Sequence, residues 1–250
     1  YHDRTFTVVN GHIFMSTEMD KAPGKTTDEL AKEGMTLESA LKISYDTAST
    51  LQQIHGQDII HGDITPKNIM SDGQTTTLTD FGNSRVIGLD LYPSLPYRED
   101  NEKSYVVSFA NDLPLVGTPD YFAPETFFTG SSVSGDIYSM VTTTLDWTTG
   151  VVVAPKIREE GWSTEIYQST KKAMIESDVP RPVRQAILFN LSTNPENRNL
   201  ELFISALGTS LGAELPAGVR PYSCPSVFAQ TQLSEYSREL AKTIILFFIF

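Results

Sequence analysis

The sequence has a single cysteine, no excess of positive charge and no long hydrophobic run. The one cysteine, Cys224, excludes an internal disulfide and a cysteine-based zinc site, and it favours a reducing compartment. The four histidines lack HExxH spacing, so no structural zinc site is expected. A formal net charge of −12 lacks the basic footprint of a general nucleic-acid-binding protein. The sequence therefore predicts a protein with no nucleic-acid partner.

Apolar residues recur at helical spacing in several stretches of this 250-residue chain. Residues 36–55 carry the clearest pattern, with Thr36 and Ser39 at the start, and predict a long helix. Residues 134–147 predict a buried helix with Ser134 as its N-cap. Further helices are predicted over residues 163–176, 182–192 and 199–207.

Strand signals are short and few. Residues 11–20 predict one strand, and the segments NIM and TTLT on either side of the Asp72–Gly73 turn predict a hairpin. Residues 88–116, with three prolines and mixed charges, predict a long exposed loop. The expected fold class is therefore α+β, a mainly helical lobe with a small β-hairpin at one edge.

Two acids and an amide stand in a pattern suited to phosphoryl transfer. Residues 61–68 read HGDITPKN and residues 80–82 read DFG, which places Asp63, Asn68 and Asp80 close to short apolar runs. Transfer from a nucleotide needs a carboxylate that orients the attacking hydroxyl and oxygen ligands that hold Mg²⁺ on the phosphates. Mg²⁺ prefers carboxylate and amide oxygens and keeps several waters.

These motifs resemble the C-terminal lobe of a eukaryotic-type protein kinase. HGDITPKN resembles the catalytic loop HRDLKPEN, DFG is intact, and GTPDYFAPE at 117–125 resembles the end of the activation segment. SGDIYSM resembles the buried helix that follows, and NPENR at 194–198 resembles the late arginine-bearing turn. The five motifs occur in the family's order within residues 11–207. The resemblance implies a Ser/Thr protein kinase that uses ATP and Mg²⁺ and acts on a protein substrate.

The resemblance assigns roles to the catalytic residues. It makes Asp63 the catalytic base, Asn68 and Asp80 the Mg²⁺ ligands, and Thr118 a contact of the catalytic aspartate. It makes Phe81 the residue whose packing sets the active or inactive pose.

The resemblance also assigns a nucleotide site and structural partners. Thr17 becomes the gatekeeper, Glu18 and Asp20 offer backbone groups to adenine, and Met70 lies under the adenine ring. Glu125 is implied to pair with Arg198 in a buried ion pair, and Asp136 to brace the backbone of the catalytic loop. His61 is expected to pack and hydrogen-bond rather than to catalyse.

Two residues depart from the family pattern. Gly62 replaces the arginine that normally pairs with a phosphate on the activation loop, so that charge switch has lost one partner. Thr65 replaces the lysine that usually neutralises the γ-phosphate. Lys67 is placed where tyrosine kinases often have an arginine, so it either takes over that task or is only a solvated loop residue.

Other function classes stay open at the level of the sequence. The departures also fit a pseudokinase that serves as a binding scaffold. HGD occurs in small-molecule phosphotransferases too, but those lack the APE-type segment and its arginine partner. Only 16 residues precede Thr17, and they contain neither GxGxxG nor lysine, so we expect most of the small lobe to be missing from this sequence. On that reading the chain is a fragment that is inactive on its own.

The resemblance divides the chain into four parts. Residues 1–20 are expected to be a remnant of the small lobe and hinge, 21–207 the large lobe, and 208–242 a linker. The tail at 243–250, TIILFFIF, is too short to cross a bilayer, which needs about 20 residues. It is either a strand or helix packed on the core or the start of a transmembrane helix. The second reading resembles bacterial receptor-type kinases and implies a cytoplasmic catalytic domain with a membrane anchor.

Overall fold

The computed structural model describes residues 3–9, 12–18, 20–88, 107–108, 114–115, 117–150 and 164–223. The helices of this part are α1 (Thr27–Lys32), α2 (Leu37–His55), α3 (Thr126–Thr129), α4 (Val133–Thr149), α5 (Thr164–Glu176), α6 (Arg181–Asn190) and α7 (Leu200–Leu211). Its strands are β1 (Asp3–Val9), β2 (His12–Glu18), β3 (Lys25–Thr26), β4 (Ile59–Ile60), β5 (Ile69–Ser71), β6 (Thr76–Leu78), β7 (Arg85–Val86), β8 (Val107–Ser108) and β9 (Pro114–Leu115).

The long helix predicted over 36–55 is confirmed as α2. The Thr36 hydroxyl accepts the N–H of Ser39 and caps the first turn, and the helix ends at Gly56. Its apolar face, which includes Leu41, Ala48 and Leu51, is buried against α4 and α7. Removing this face from water is the main source of stability for such a helix.

Helix α4 passes through the centre of the lobe, and its N-cap is Ser132 rather than the predicted Ser134. Ser132 has extended backbone angles, and its hydroxyl accepts the N–H of Gly135. Ser134 lies inside the first turn, where its hydroxyl donates to the carbonyl of Pro195 at 2.6 Å. The segment SSVS contains three serines that could cap the helix. Ser132 is the cap because its backbone is extended, whereas Ser134 is bonded to the carbonyl of Pro195.

The strands form small antiparallel sheets. β1 pairs with β2, with Asp3 opposite Glu18, and this hairpin adds a strand that the sequence did not predict. The predicted hairpin around residue 72 is confirmed as β5–β6, and β3 adds a third strand on the β5 side. The carboxylate of Asp72 accepts the N–H groups of Gln74 and Thr75 at 2.9 and 2.7 Å, and these bonds lower the pKa of Asp72. The side chain of Asp72 thus stabilises the turn that it begins.

The predicted loop over 88–116 lies largely outside the described residues. Two short pieces of it are described, and they pair as β8 and β9.

The last described helix is longer than the helix predicted over 199–207. Helix α7 continues to Leu211, where Gly212 in a left-handed conformation ends it. Leu215 then packs over Gly208, and the hydroxyl of Tyr45 donates to the carbonyl of Glu214. The residues after 207, predicted to belong to a linker, therefore begin by packing on the lobe.

The described part of the chain contains no helix that is both long and apolar enough to cross a membrane. The apolar tail at 243–250 lies outside the described residues. Its membrane role stays a prediction.

Candidate active site

A buried carboxylate on α4 fixes the backbone of the loop that carries Asp63. Asp136 accepts the N–H of His61 on Oδ2 at 2.8 Å and the N–H of Gly62 on Oδ1 at 2.9 Å. The Nε2 atom of His55, at the end of α2, lies 2.9 Å from Oδ2 of Asp136. A buried carboxylate whose two oxygens are both hydrogen-bonded makes the surrounding backbone rigid. The expected bracing of the loop by Asp136 is therefore present.

His61 is a structural residue of this loop. Its Nε2 atom bonds to the carbonyl of Thr79 at 3.0 Å, and its Nδ1 atom accepts the N–H of Asp63 at 3.3 Å. Burial lowers the pKa of His61, and the nearby carboxylates only partly oppose this effect. The imidazole is therefore neutral near pH 7, which agrees with a packing role.

The carboxylate of Asp63 is held on both oxygens. Oδ1 accepts the backbone N–H of Thr118 at 2.9 Å. Oδ2 accepts the amide of Asn68 at 3.2 Å and that of Asn83 at 3.4 Å. The expected contact of Thr118 is present, but its backbone amide makes it, not its hydroxyl. Three donors fix the carboxylate's orientation, and none is cationic.

Asn68 is oriented so that its amide oxygen does not face Asp63. Its Nδ2 atom donates to the carbonyl of Asp63 at 2.9 Å as well as to the carboxylate. The backbone carbonyl of Asn68 accepts the N–H of Thr79 at 2.8 Å and the Thr79 hydroxyl at 3.1 Å. With the nitrogen committed to Asp63, the Oδ1 atom is the one that can ligate a cation.

Asp80 has a left-handed backbone conformation. Its φ and ψ are 60° and 70°, a region that aspartate enters more readily than most non-glycine residues and that the exposed Asp58 also adopts. The side chain is exposed and accepts the N–H of Gly82 at 3.2 Å through Oδ1, so Oδ2 is available. The next residue, Phe81, is 37% exposed, and its ring packs edge-to-face with the His61 ring, with 4.8 Å between the ring centroids.

The donor set of Asn68 and Asp80 fits Mg²⁺, because the ion takes one or two protein oxygens and completes its shell with water and phosphate. Among the described residues there is no group of three or more His, Cys, Asp or Glu that could together hold a metal ion. A dedicated cage for a transition metal is therefore absent from that part.

The departure at position 62 has a physical reason. Gly62 has φ +81°, and a Cβ atom there would lie 2.8 Å from the carbonyl oxygen of Asn83. A side chain would strain the loop at this point. Thr65 is buried, whereas Lys67 is exposed and has no ion pair within the described part of the chain. Lys67 is thus the cation of this loop that can turn toward a phosphate.

The predicted nucleotide residues are placed only in part. Thr17 and Glu18 lie on β2, but their side chains are outside the described part. Asp20 is exposed and follows that strand. Met70 is half-buried in the middle of β5, opposite Thr26 and Thr77.

The ion pair predicted between Glu125 and Arg198 is present. Arg198 bonds to both carboxylate oxygens, one of them at 2.9 Å, and its guanidinium lies 4.8 Å above the ring centre of Tyr138. It also donates to the carbonyls of Ser192 and Ser134 at 2.8–3.0 Å. The pair joins the end of the activation segment to the start of α4 and to the turn after α6.

Two residues near the site were missed from the sequence. Asn83 reaches Asp63, as described above. Thr27, the first residue of α1, donates its buried hydroxyl to the carbonyl of Pro66 at 2.8 Å. The signal for α1 was present, because Thr26 and Glu29 form a capping box, but no helix was predicted there.

Comparison with known proteins agrees with this geometry. The family described as "Protein kinase domain" matches residues 5–207. A probable serine/threonine-protein kinase of Clostridium perfringens is 25% identical over 188 residues, which is 72% of this chain and 25% of that protein. A serine/threonine-protein kinase of Saccharomyces cerevisiae is 35% identical over 96 residues, 37% of this chain and 14% of that protein.

A dual serine/threonine and tyrosine protein kinase of Homo sapiens is 29% identical over 109 residues, 43% of this chain and 10% of that protein. The chain thus aligns with a quarter or less of the length of each of these three relatives.

Proposed function

The chain belongs to the protein kinase family, and from this premise we propose that it transfers the γ-phosphoryl group of ATP to Ser and Thr hydroxyls of protein substrates. The relatives named above are described as serine/threonine or dual-specificity kinases. The observation that carries the proposal is the carboxylate of Asp63, which neutral donors hold on both oxygens. Such a group can orient a hydroxyl and accept its proton.

In this proposal Asp63 accepts the proton of the attacking hydroxyl. The N–H of Thr118 and the amide of Asn68 hold its carboxylate in place, so little reorganisation is needed during transfer. Mg²⁺, held through Asn68 Oδ1 and the Asp80 carboxylate, would neutralise charge on the phosphates. Lys67 supplies the positive charge that the family's lysine provides at position 65.

The nucleotide base is proposed to lie between β2 and β5. Met70 offers an apolar contact for the adenine ring from β5. Thr17, Glu18 and Asp20 would contribute the gatekeeper side chain and backbone groups. These roles come from the family and from the positions of the residues on the two strands.

The proposal is tested by Asp63→Asn in a phosphoryl-transfer assay with a protein substrate. The measurement is made on this chain and, if the gene encodes a longer protein, on that protein. General-base loss should lower the rate about 10²–10⁴-fold while nucleotide affinity stays nearly constant. Asp80→Asn should instead weaken Mg-nucleotide binding in calorimetry. Asp58→Asn is the matched control, because Asp58 is an exposed aspartate whose left-handed backbone suits asparagine.

A binding scaffold without catalysis is the second candidate, and the burial of Thr65 favours it, since the loop has lost one phosphate-neutralising cation. The same variants separate the two. A scaffold binds nucleotide or a partner protein and shows equal background phosphorylation for the parent and Asp63→Asn. That equality would remove the catalytic proposal.

A further inference from the structure

The turn that carries Lys67 and Asn68 is held from outside by two consecutive residues. On its N-terminal side the Thr27 hydroxyl donates to the carbonyl of Pro66 at 2.8 Å. On its C-terminal side the backbone of Thr26 pairs with Met70 in the β3–β5 ladder. The stretch between these two anchors is residues 67–69, so the loop is tied to the start of α1 at both of its ends.

The N-terminal anchor acts on one peptide group. The carbonyl of Pro66 belongs to the same rigid plane as the N–H of Lys67, because a peptide bond is planar. Fixing that oxygen therefore fixes the direction in which the chain enters Lys67. The oxygen is buried, and a buried carbonyl without a donor is costly, so the Thr27 hydroxyl meets a real requirement there.

The start of α1 is itself fixed. The hydroxyl of Thr26 accepts the N–H of Glu29, and the Glu29 carboxylate accepts the N–H of Thr26 at 2.9 Å. Thr27 is 0% exposed and therefore presents its hydroxyl from a rigid position. If the start of α1 moved, the hydrogen bond from Thr27 would move the Pro66–Lys67 peptide with it.

We propose that Thr27 is a positioning residue for phosphoryl transfer, which acts by orienting the Pro66–Lys67 peptide and hence the Lys67 side chain. The inference rests on the proposed function and adds to it a control point outside the catalytic motifs. Thr27 touches neither substrate nor nucleotide in this role. Its effect is on kcat, because it places a charged group for the transition state and does not build the nucleotide site.

The test compares three variants. Thr27→Val keeps the shape of the side chain and removes the hydroxyl, whereas Thr27→Ser keeps the hydroxyl. Thr47→Val is the matched control, since Thr47 is 1% exposed and donates to the carbonyl of Ile43 at the same distance of 2.8 Å, but within α2. Amide hydrogen exchange over residues 67–70 and steady-state kinetics are measured for each.

In Thr27→Val the amide hydrogens of residues 67–70 should exchange roughly fivefold faster, as expected for the loss of one buried hydrogen bond. It should lose about tenfold in kcat with little change in the KM for nucleotide, since a small misplacement of a catalytic group has an effect of at least that size. Thr27→Ser and Thr47→Val should behave like the parent in both measurements.

The outcomes separate this inference from the proposed function. If the parent transfers phosphate and Thr27→Val matches it in exchange and in kcat, the positioning role is wrong and the function stands. If Thr47→Val loses as much kcat as Thr27→Val, the effect is general destabilisation, and the inference is again wrong. A parent without any transfer would overturn the proposed function, and with it the catalytic meaning of Thr27.

Discussion

Replacing Arg198 with alanine should destabilise the lobe more than any exposed charge change. The Arg198 side chain is 0% exposed and Glu125 is 17% exposed, so the substitution leaves a largely buried carboxylate without its partner. It also removes the donors to the carbonyls of Ser192 and Ser134. Breaking a buried pair from one side costs about 3–5 kcal/mol, and the partial hydration of Glu125 favours the lower end. At about 3 kcal/mol, a domain of this size should lose about 6–12 °C in Tm.

The assay is thermal unfolding followed by circular dichroism at pH 7. Lys25→Ala is the control, because it breaks the exposed ion pair with Glu33, and it should leave Tm unchanged. Adding Glu125→Gln to Arg198→Ala should restore part of the lost stability, since it removes the unpaired charge. An Arg198→Ala variant that unfolds at the parent's Tm would refute the reasoning, as would a double variant less stable than Arg198→Ala.

Three further predictions concern the catalytic loop. Lys67→Ala should lower kcat about tenfold or more, whereas the exposed Lys172→Ala should not, and equal rates would reject the phosphate role of Lys67. Gly62→Ala should cost roughly 1–2 kcal/mol in urea unfolding because of its positive φ and the close carbonyl of Asn83; an unchanged midpoint would contradict this. Burial lowers the pKa of His61 from its ordinary 6.5. Just below pH 6.5 the unfolded chain therefore binds a proton at this histidine and the folded chain does not. Stability should therefore fall as pH decreases below about 6.5, and His61→Asn should show a smaller fall between pH 7 and 5.

The sequence predicted best those features that side chains signal directly. The period of apolar residues and the cap at Thr36 placed α2 within one residue of its observed start. Spacing singled out Asp63 and Asn68, which the structure brings into hydrogen-bond contact, and the family pattern paired Glu125 with Arg198, which the structure confirms. Each of these depends on the identity of a side chain.

Features made by backbone groups were harder to predict. Thr118 contacts Asp63 through its backbone N–H, which every residue except proline has, so the residue type alone does not say which group makes the predicted contact. Thr27 reaches Pro66 across 39 positions, and no local pattern reports such a contact. Helix α1 has only six residues and too few apolar positions to show a period, so its capping box was the one available signal.

The ends of the activation segment are secured separately. Near its start, Arg85 pairs with Ile60 in the β4–β7 ladder, and near its end Thr118 is bonded to Asp63. Neither anchor depends on how much chain lies between them. The entropy of closing a loop grows only logarithmically with length, by about 0.6 kcal/mol for each doubling. A change in the length of the chain between these two anchors should therefore cost little loop-closure entropy, and both contacts can form whatever that length is.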